Sequence, residues 1–149
     1  MGIPVLEKAL DIFEQLLDSK ADNQDPVITF HGGEPLVAGL EFYRQALPTL
    51  KTRLSTRKVI FAIQSNLWLL TADLCDLFRE YNVSIGTSLD GPQAINDAQR
   101  GAGSYRRTMA GIQLARSHGL NPGCICTFTA QSARRAEDVF DFFLGQGLG

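Results

Sequence analysis

The stretch ITFHGGEPL, residues 28–36, changes character halfway along. Ile28, Thr29 and Phe30 are the β-branched and aromatic residues of a strand. Gly32 and Gly33 then remove two Cβ atoms and admit unusual φ, so backbone there can lie against a ligand. Glu34 adds fixed acceptor oxygens suited to an ammonium group, and Pro35 stiffens the turn. Taken alone, the segment also reads as a plain strand-to-helix turn with a solvent-exposed glutamate. His31 reads equally as a ligand contact or a half-buried strand end.

The pattern returns along the chain. Strands are predicted at 27–31, 58–65, 83–89 and 123–129. The run KVIFAIQS at 58–65 is continuously apolar and predicts a strand buried on both faces. Between the strands lie helical periodicities at 5–20, 40–55 and 72–82, then from about 105 to 118 and from 136 onward. Residues 21–26 read as a loop. Pro48 predicts a kink or break. Thr71 and Ser104 read as helix caps, and Gly119 as a helix-ending residue. The order α-βα-βα-βα-βα predicts an α/β fold of consecutive parallel units with right-handed crossovers.

Each strand is followed by an unusual loop: HGGEP, then QSN at 64–66, SLDGP at 88–92 and TFTAQS at 127–132. In parallel α/β folds the C-terminal rim of the sheet is where ligands bind. Several such loops on one rim make a site by convergence, although Asp-Gly-Pro is also turn chemistry by itself. Arg100 reads without further context as a solvated helix-end charge.

Composition excludes several classes. The 149 residues are 44% hydrophobic and 20% charged with a net charge of −2, an ordinary globular balance. No general field for nucleic acid or acidic membrane exists. No apolar run has membrane-spanning length and MGIPVLEKAL lacks signal-peptide architecture, so a cytoplasmic protein is expected. The three cysteines, Cys75, Cys124 and Cys126, argue against a disulfide framework. The pair around Ile125 reads as small buried hydrophobes or, less simply, as ligands. Neither they nor His31 and His118 have zinc spacing, and no metal site is expected.

The segments FHGGEPLVAGLEFYRQAL, IQSNLWLL and VSIGTSLDGPQAINDAQRGAGSYRRTMAGIQLARSHGL together resemble radical S-adenosylmethionine enzymes. Among these the chain is similar to the anaerobic sulfatase-maturating enzymes, also called arylsulfatase regulators, and their relatives with a twisted cluster-binding (SPASM) domain. The family pattern runs GGEP, then Q-T-N-G-x-L-L, then S-x-D-G-P and H-D-x-x-R. The resemblance implies part of a (β/α)6 barrel and a set of cofactor residues. Gly32, Gly33 and Glu34 match the motif that holds the methionine ammonium. His31 stands where the sulfatase-maturating branch has Gln. Ser88 matches a hydroxyl at the methionyl end or ribose, and Arg100 the cation facing the methionine carboxylate. Gln64 and Asn66 match the amide-rich end of the next strand. Leu67 replaces a family Gly and Asn96 a family His, both expected near the pocket.

The resemblance further implies a 4Fe-4S cluster on a C-x3-C-x2-C loop, S-adenosylmethionine cleaved there, and a deoxyadenosyl radical that abstracts hydrogen from a sulfatase or other peptide. In the sulfatase branch Cys or Ser becomes formylglycine. The chain holds no such cysteine loop. Residues 1–149 are therefore expected to be a single middle fragment of the barrel, lacking the cluster loop and the barrel end, and inactive alone. Exposed strand edges are expected to favour homo-oligomers. The competing readings are a maturase with another peptide substrate and a cluster-free α/β module that binds a nucleotide or peptide.

Overall fold

The computed structural model describes residues 2–19 and 25–148. The loop expected at 21–26 therefore lies mostly outside the described residues. The chain opens with α1 (Ile3–Ser19), β1 (Val27–Phe30) and α2 (Gly39–Arg53). It continues through β2 (Ile60–Gln64), α3 (Ala72–Glu80), β3 (Ser84–Ser88), α4 (Gln93–Arg100) and α5 (Ser104–Ser117). It finishes with β4 (Gly123–Ile125) and α6 (Ala136–Gln146), and short 3-10 turns lie at Pro35–Ala38 and Ser132–Arg135. All three strand pairings are parallel and the sheet order is β1-β2-β3-β4. The α/β order of the sequence is thus the order of the fold.

Side-chain alternation explains the layers. Phe61 and Ile63 of β2 are buried, and Ile63 sits beside the buried Ile85 of β3. These residues face the helices, where Leu47 and Leu50 of α2, Phe78 of α3 and Ile112 of α5 are fully enclosed. Tyr43 joins Phe30, Phe42 and Phe78 in edge-to-face contacts, the closest at ring separations of 5.2 Å. Such pairs add roughly 0.5–1.5 kcal/mol each beyond area burial.

The opposite sheet face differs from the sequence expectation. β2 is not buried on both sides: Ile60 is 39% exposed, and Ala62 and Gln64 are half-buried. Helices cover one face only, so residues of the other face meet the space a closed barrel would enclose. β4 is also shorter than its polar-apolar run implies, ending at Ile125. β1 and β4 are the sheet edges, as expected.

Two local readings change. Helix α2 runs through Pro48 without interruption. Its buried face, Tyr43, Ala46, Leu47 and Leu50, holds it in register despite the missing amide. Ser104 does not cap α5 but is its first residue. The capping acceptor comes from α4: Asp97 Oδ1 accepts the Tyr105 amide at 2.8 Å and the Ser104 hydroxyl at 3.1 Å. Thr71 does cap α3, accepting the Leu74 amide at 3.3 Å.

Candidate functional site

The ends of β1, β2 and β3 meet α4 and α5 at one open pocket of about 320 Å³. Seven of the eight residues singled out in the sequence line it: His31, Gly33, Glu34, Gln64, Asn66, Ser88 and Arg100. Gly32 lies one residue away and faces the neighbouring hollow beside α2. Another hollow of about 400 Å³, between α4 and the turn at 132–135, is larger but gathers none of these eight residues. The chemistry-bearing side chains therefore make the smaller pocket the candidate site.

The turn after β1 is built for close approach. Gly32 and Gly33 have φ of 92° and 53°, and a Cβ on either would meet nothing within 4 Å. Glycine is required here by backbone conformation and not by packing, and the space in front of it is open. Neither glycine carbonyl accepts a hydrogen bond among the described residues. His31 Nδ1 accepts the Gly32 amide at 2.6 Å. Behind the turn, the Tyr43 hydroxyl donates to the Pro35 carbonyl at 2.9 Å. Burial first, and then the charge of Glu34, pushes that phenol up to about 12.

Glu34 is not a loose surface carboxylate. Its Oε1 accepts the Leu36 amide at 3.0 Å and the Ser65 hydroxyl at 2.6 Å, and its Oε2 accepts the Asn66 amide at 2.9 Å. Ser65 Oγ accepts in turn from the Leu67 amide at 2.9 Å. One acidic side chain thus locks the β1 and β2 loops together. Three donors occupy a group with about four lone-pair directions, leaving room for one further donor at Oε2.

Gln64 crosses to β3, where its amide donates to Ser88 Oγ at 3.3 Å. Gly86 makes this path: a Cβ there would overlap Gln64 Oε1. Arg100 ends α4 and is 31% exposed at its side chain, paired through Nε and Nη2 with the buried Asp90. It is therefore a positioned cation and not a solvated helix end.

Four lining residues were not among the site residues expected from the sequence: Ser65, Trp68, Ser104 and Thr108. Trp68 donates its indole N–H to Thr108 Oγ1 at 3.1 Å, and the Arg107 guanidinium lies 5.0 Å from its ring centre. Ser104 and Thr108 are four apart on one helix, so they share a face. Leu67 and Asn96, both expected near the pocket, do not line it. Asn96 is fully buried, accepting from the Asp90 amide and donating to Ser104 Oγ.

No group of three metal-ligating side chains occurs among the described residues. Cys75 is buried in α3, and desolvation first, then Asp76, pushes its thiol up to about 11. Burial likewise raises Cys124 and Cys126. No helix among the described residues is long and apolar enough to cross a membrane.

The pocket thus gathers a carboxylate, glycine backbone and a guanidinium in one lining. A zwitterionic amino-acid group carries charges complementary to both side chains. The chain is 55% identical over 126 residues to an uncharacterized protein of Methanothermobacter thermautotrophicus, covering 85% of this chain and 48% of that protein. It is 33% identical over 140 residues to the serine-type anaerobic sulfatase-maturating enzyme of Bacteroides thetaiotaomicron, covering 89% and 34%. The chain therefore spans about half or less of the length of these relatives. The solved structure of anSMEcpe with bound AdoMet matches at a TM-score of 0.76 and 22% identity, over 86% of this chain and 35% of that one. The same protein with bound AdoMet and Kp18Cys peptide matches at 0.77 and 22%, over 86% and 37%. The fold is accordingly part of a radical SAM barrel. The family model of the radical SAM superfamily covers residues 2–142, and the chain belongs to that superfamily.

Proposed function

We propose that the pocket between Glu34 and Arg100 holds the amino-acid end of S-adenosylmethionine, within an enzyme that matures sulfatases. The observation that carries this reading is that Glu34, Gln64, Ser88 and Arg100, drawn from separate motifs, line one pocket. The residues fit the group. Gly33 lines the pocket with no side chain to block a ligand, and Glu34 beside it supplies the countercharge for an ammonium. Arg100 faces the carboxylate and Ser88 donates to the carboxylate or ribose. His31, Gln64 and Asn66 line the side between them.

When bound and reduced at an iron–sulfur cluster, S-adenosylmethionine supplies hydrogen-abstracting chemistry. This chain's part is to grip and orient the two charged ends of the cofactor. The cluster itself does not fit the residues present: no group of three metal-ligating side chains occurs among the described residues. The chain alone is therefore proposed to bind cofactor weakly and not to cleave it.

The sulfatase assignment rests on relatives named as serine-type and cysteine-type maturases. The substrate would be a peptide whose Cys or Ser becomes formylglycine.

Equilibrium dialysis of the chain with S-adenosylmethionine is the test. Saturable binding that Glu34→Ala abolishes supports the cradle, and no binding by the unmodified chain contradicts it. After iron reconstitution and reduction, no 5′-deoxyadenosine is expected, and its appearance would contradict the inactive-fragment reading. The sulfatase assignment is tested by incubating Cys-bearing and Ser-bearing sulfatase peptides with the B. thetaiotaomicron maturase carrying this chain's pocket residues. Formylglycine is expected, and unmodified peptide would point to another substrate.

A further inference from the structure

Asp90 is 2% exposed, yet it carries a carboxylate with four hydrogen-bond donors around it. Its Oδ2 takes Arg100 Nε at 2.7 Å and Gln99 Nε2 at 2.9 Å. Its Oδ1 takes Arg100 Nη2 at 2.8 Å and the Thr127 amide at 2.9 Å. Its own amide donates to Asn96 Oδ1 at 3.0 Å. A turn made only by Asp-Gly-Pro needs none of these.

We infer that Asp90 is a positioning residue that aims Arg100 into the pocket for a ligand carboxylate. This rests on the cofactor-cradle reading. A guanidinium has five N–H groups. Asp90 takes the Nε hydrogen and one on Nη2, leaving the Nη1 edge and one Nη2 hydrogen. Arg100 lines the pocket while Asp90 does not. The remaining edge is thus the one available to a second carboxylate, in a carboxylate–guanidinium–carboxylate stack. An unpaired arginine would instead sample many rotamers, and fixing them on binding opposes affinity.

The pairing has a second consequence. Asp90 largely neutralises Arg100, so the pocket is not a general anion trap. Recognition of the carboxylate depends on the direction of the free guanidinium edge and not on net charge. Because Thr127 follows β4 and Gln99 and Arg100 belong to α4, one buried carboxylate ties three segments of the rim to that edge.

The test compares S-adenosylhomocysteine with 5′-methylthioadenosine, which lacks the amino-acid group, by calorimetry on the whole chain. Asp90→Asn places an amide donor toward Arg100 and is expected to weaken S-adenosylhomocysteine by about tenfold or more, the scale of a charge-assisted bond. Methylthioadenosine affinity is expected to change less than about twofold, which a general structural loss would not produce. In an Arg100→Ala background, Asp90→Asn is expected to add nothing. Equal S-adenosylhomocysteine affinity in Asp90→Asn and the unmodified chain overturns the positioning role alone. No binding of either nucleoside to the unmodified chain overturns the cradle reading itself. Should Asp90→Asn fail to unfold cooperatively, nitrogen-15 NMR of the unmodified chain decides. S-adenosylhomocysteine is expected to move the Arg100 Nη signals and leave a protected Nε–H in place. Unmoved Nη signals in the bound chain would overturn the inference.

Discussion

Leu67 and Gly111 compete for one space: a Cβ built on Gly111 would lie 2.5 Å from Leu67 Cβ and 2.8 Å from its carbonyl oxygen. Leu67 also has φ of 65°, a left-handed conformation that suits glycine, the residue that the family pattern of the resemblance has there. The chain keeps leucine there by burying it, 2% exposed, against a helix position without a side chain. The substitution is thus a packing exchange behind the site, and the loop bearing Asn66 and Trp68 rests on it.

Gly111→Ala is therefore expected to destabilise the fold by roughly 1–3 kcal/mol through overpacking. Urea unfolding checks this as a lower midpoint with an unchanged slope. Adding Leu67→Gly is expected to recover part of the loss. A neutral Gly111→Ala would show that the loop moves aside freely.

Glu34→Gln keeps the shape of the side chain but replaces one acceptor oxygen with a donor. Two amides and one hydroxyl depend on those oxygens. A loss of roughly 1–3 kcal/mol is expected from the unsatisfied donor, together with loss of cofactor binding. Thermal unfolding and dialysis measure the two effects separately. Full stability with binding lost would assign Glu34 to the ligand alone.

Thr87 is fully buried and its hydroxyl has no hydrogen-bond partner among the described residues. Thr87→Val keeps the branched shape and removes the orphaned group. A gain of about 1 kcal/mol is expected in urea unfolding. A loss would reveal a bond made by that hydroxyl.

Asp97 is held below its ordinary value of 3.8, first by the Tyr105 amide and then by the Gly103 amide and the Ser104 hydroxyl, against desolvation. A carboxylate depressed by folding stabilises above its unfolded pKa and loses that contribution as pH falls through its folded pKa. Asp97→Asn is expected to lower the urea midpoint at pH 7, with the gap narrowing once the pH falls below 3.8. A gap that stays constant across that range would remove Asp97 from the acid response.

Much of this was legible because it is local. Helical and strand periods gave the α/β order, and HGGEP, QSN and SLDGP fell at strand ends where the structure gathers them. The pairing of Asp90 with Arg100 was not legible, since each residue had a sufficient local explanation as a turn or a helix end. Ser104 looked like a cap because its true role depends on Asp97 reaching across from the preceding helix. Trp68 and Thr108 carried no motif; only the four-residue spacing of Ser104 and Thr108 could have marked their shared face. The open side of β2 was misread because an apolar run does not say whether a second layer covers it.

A crystal structure of the chain with S-adenosylhomocysteine tests the central claim most directly. The account expects the ligand carboxylate within hydrogen-bond distance of Arg100 and the amino group against Gly32, Gly33 and Glu34. Ligand density in the hollow between α4 and the turn at 132–135, with the Glu34–Arg100 pocket empty, would contradict it.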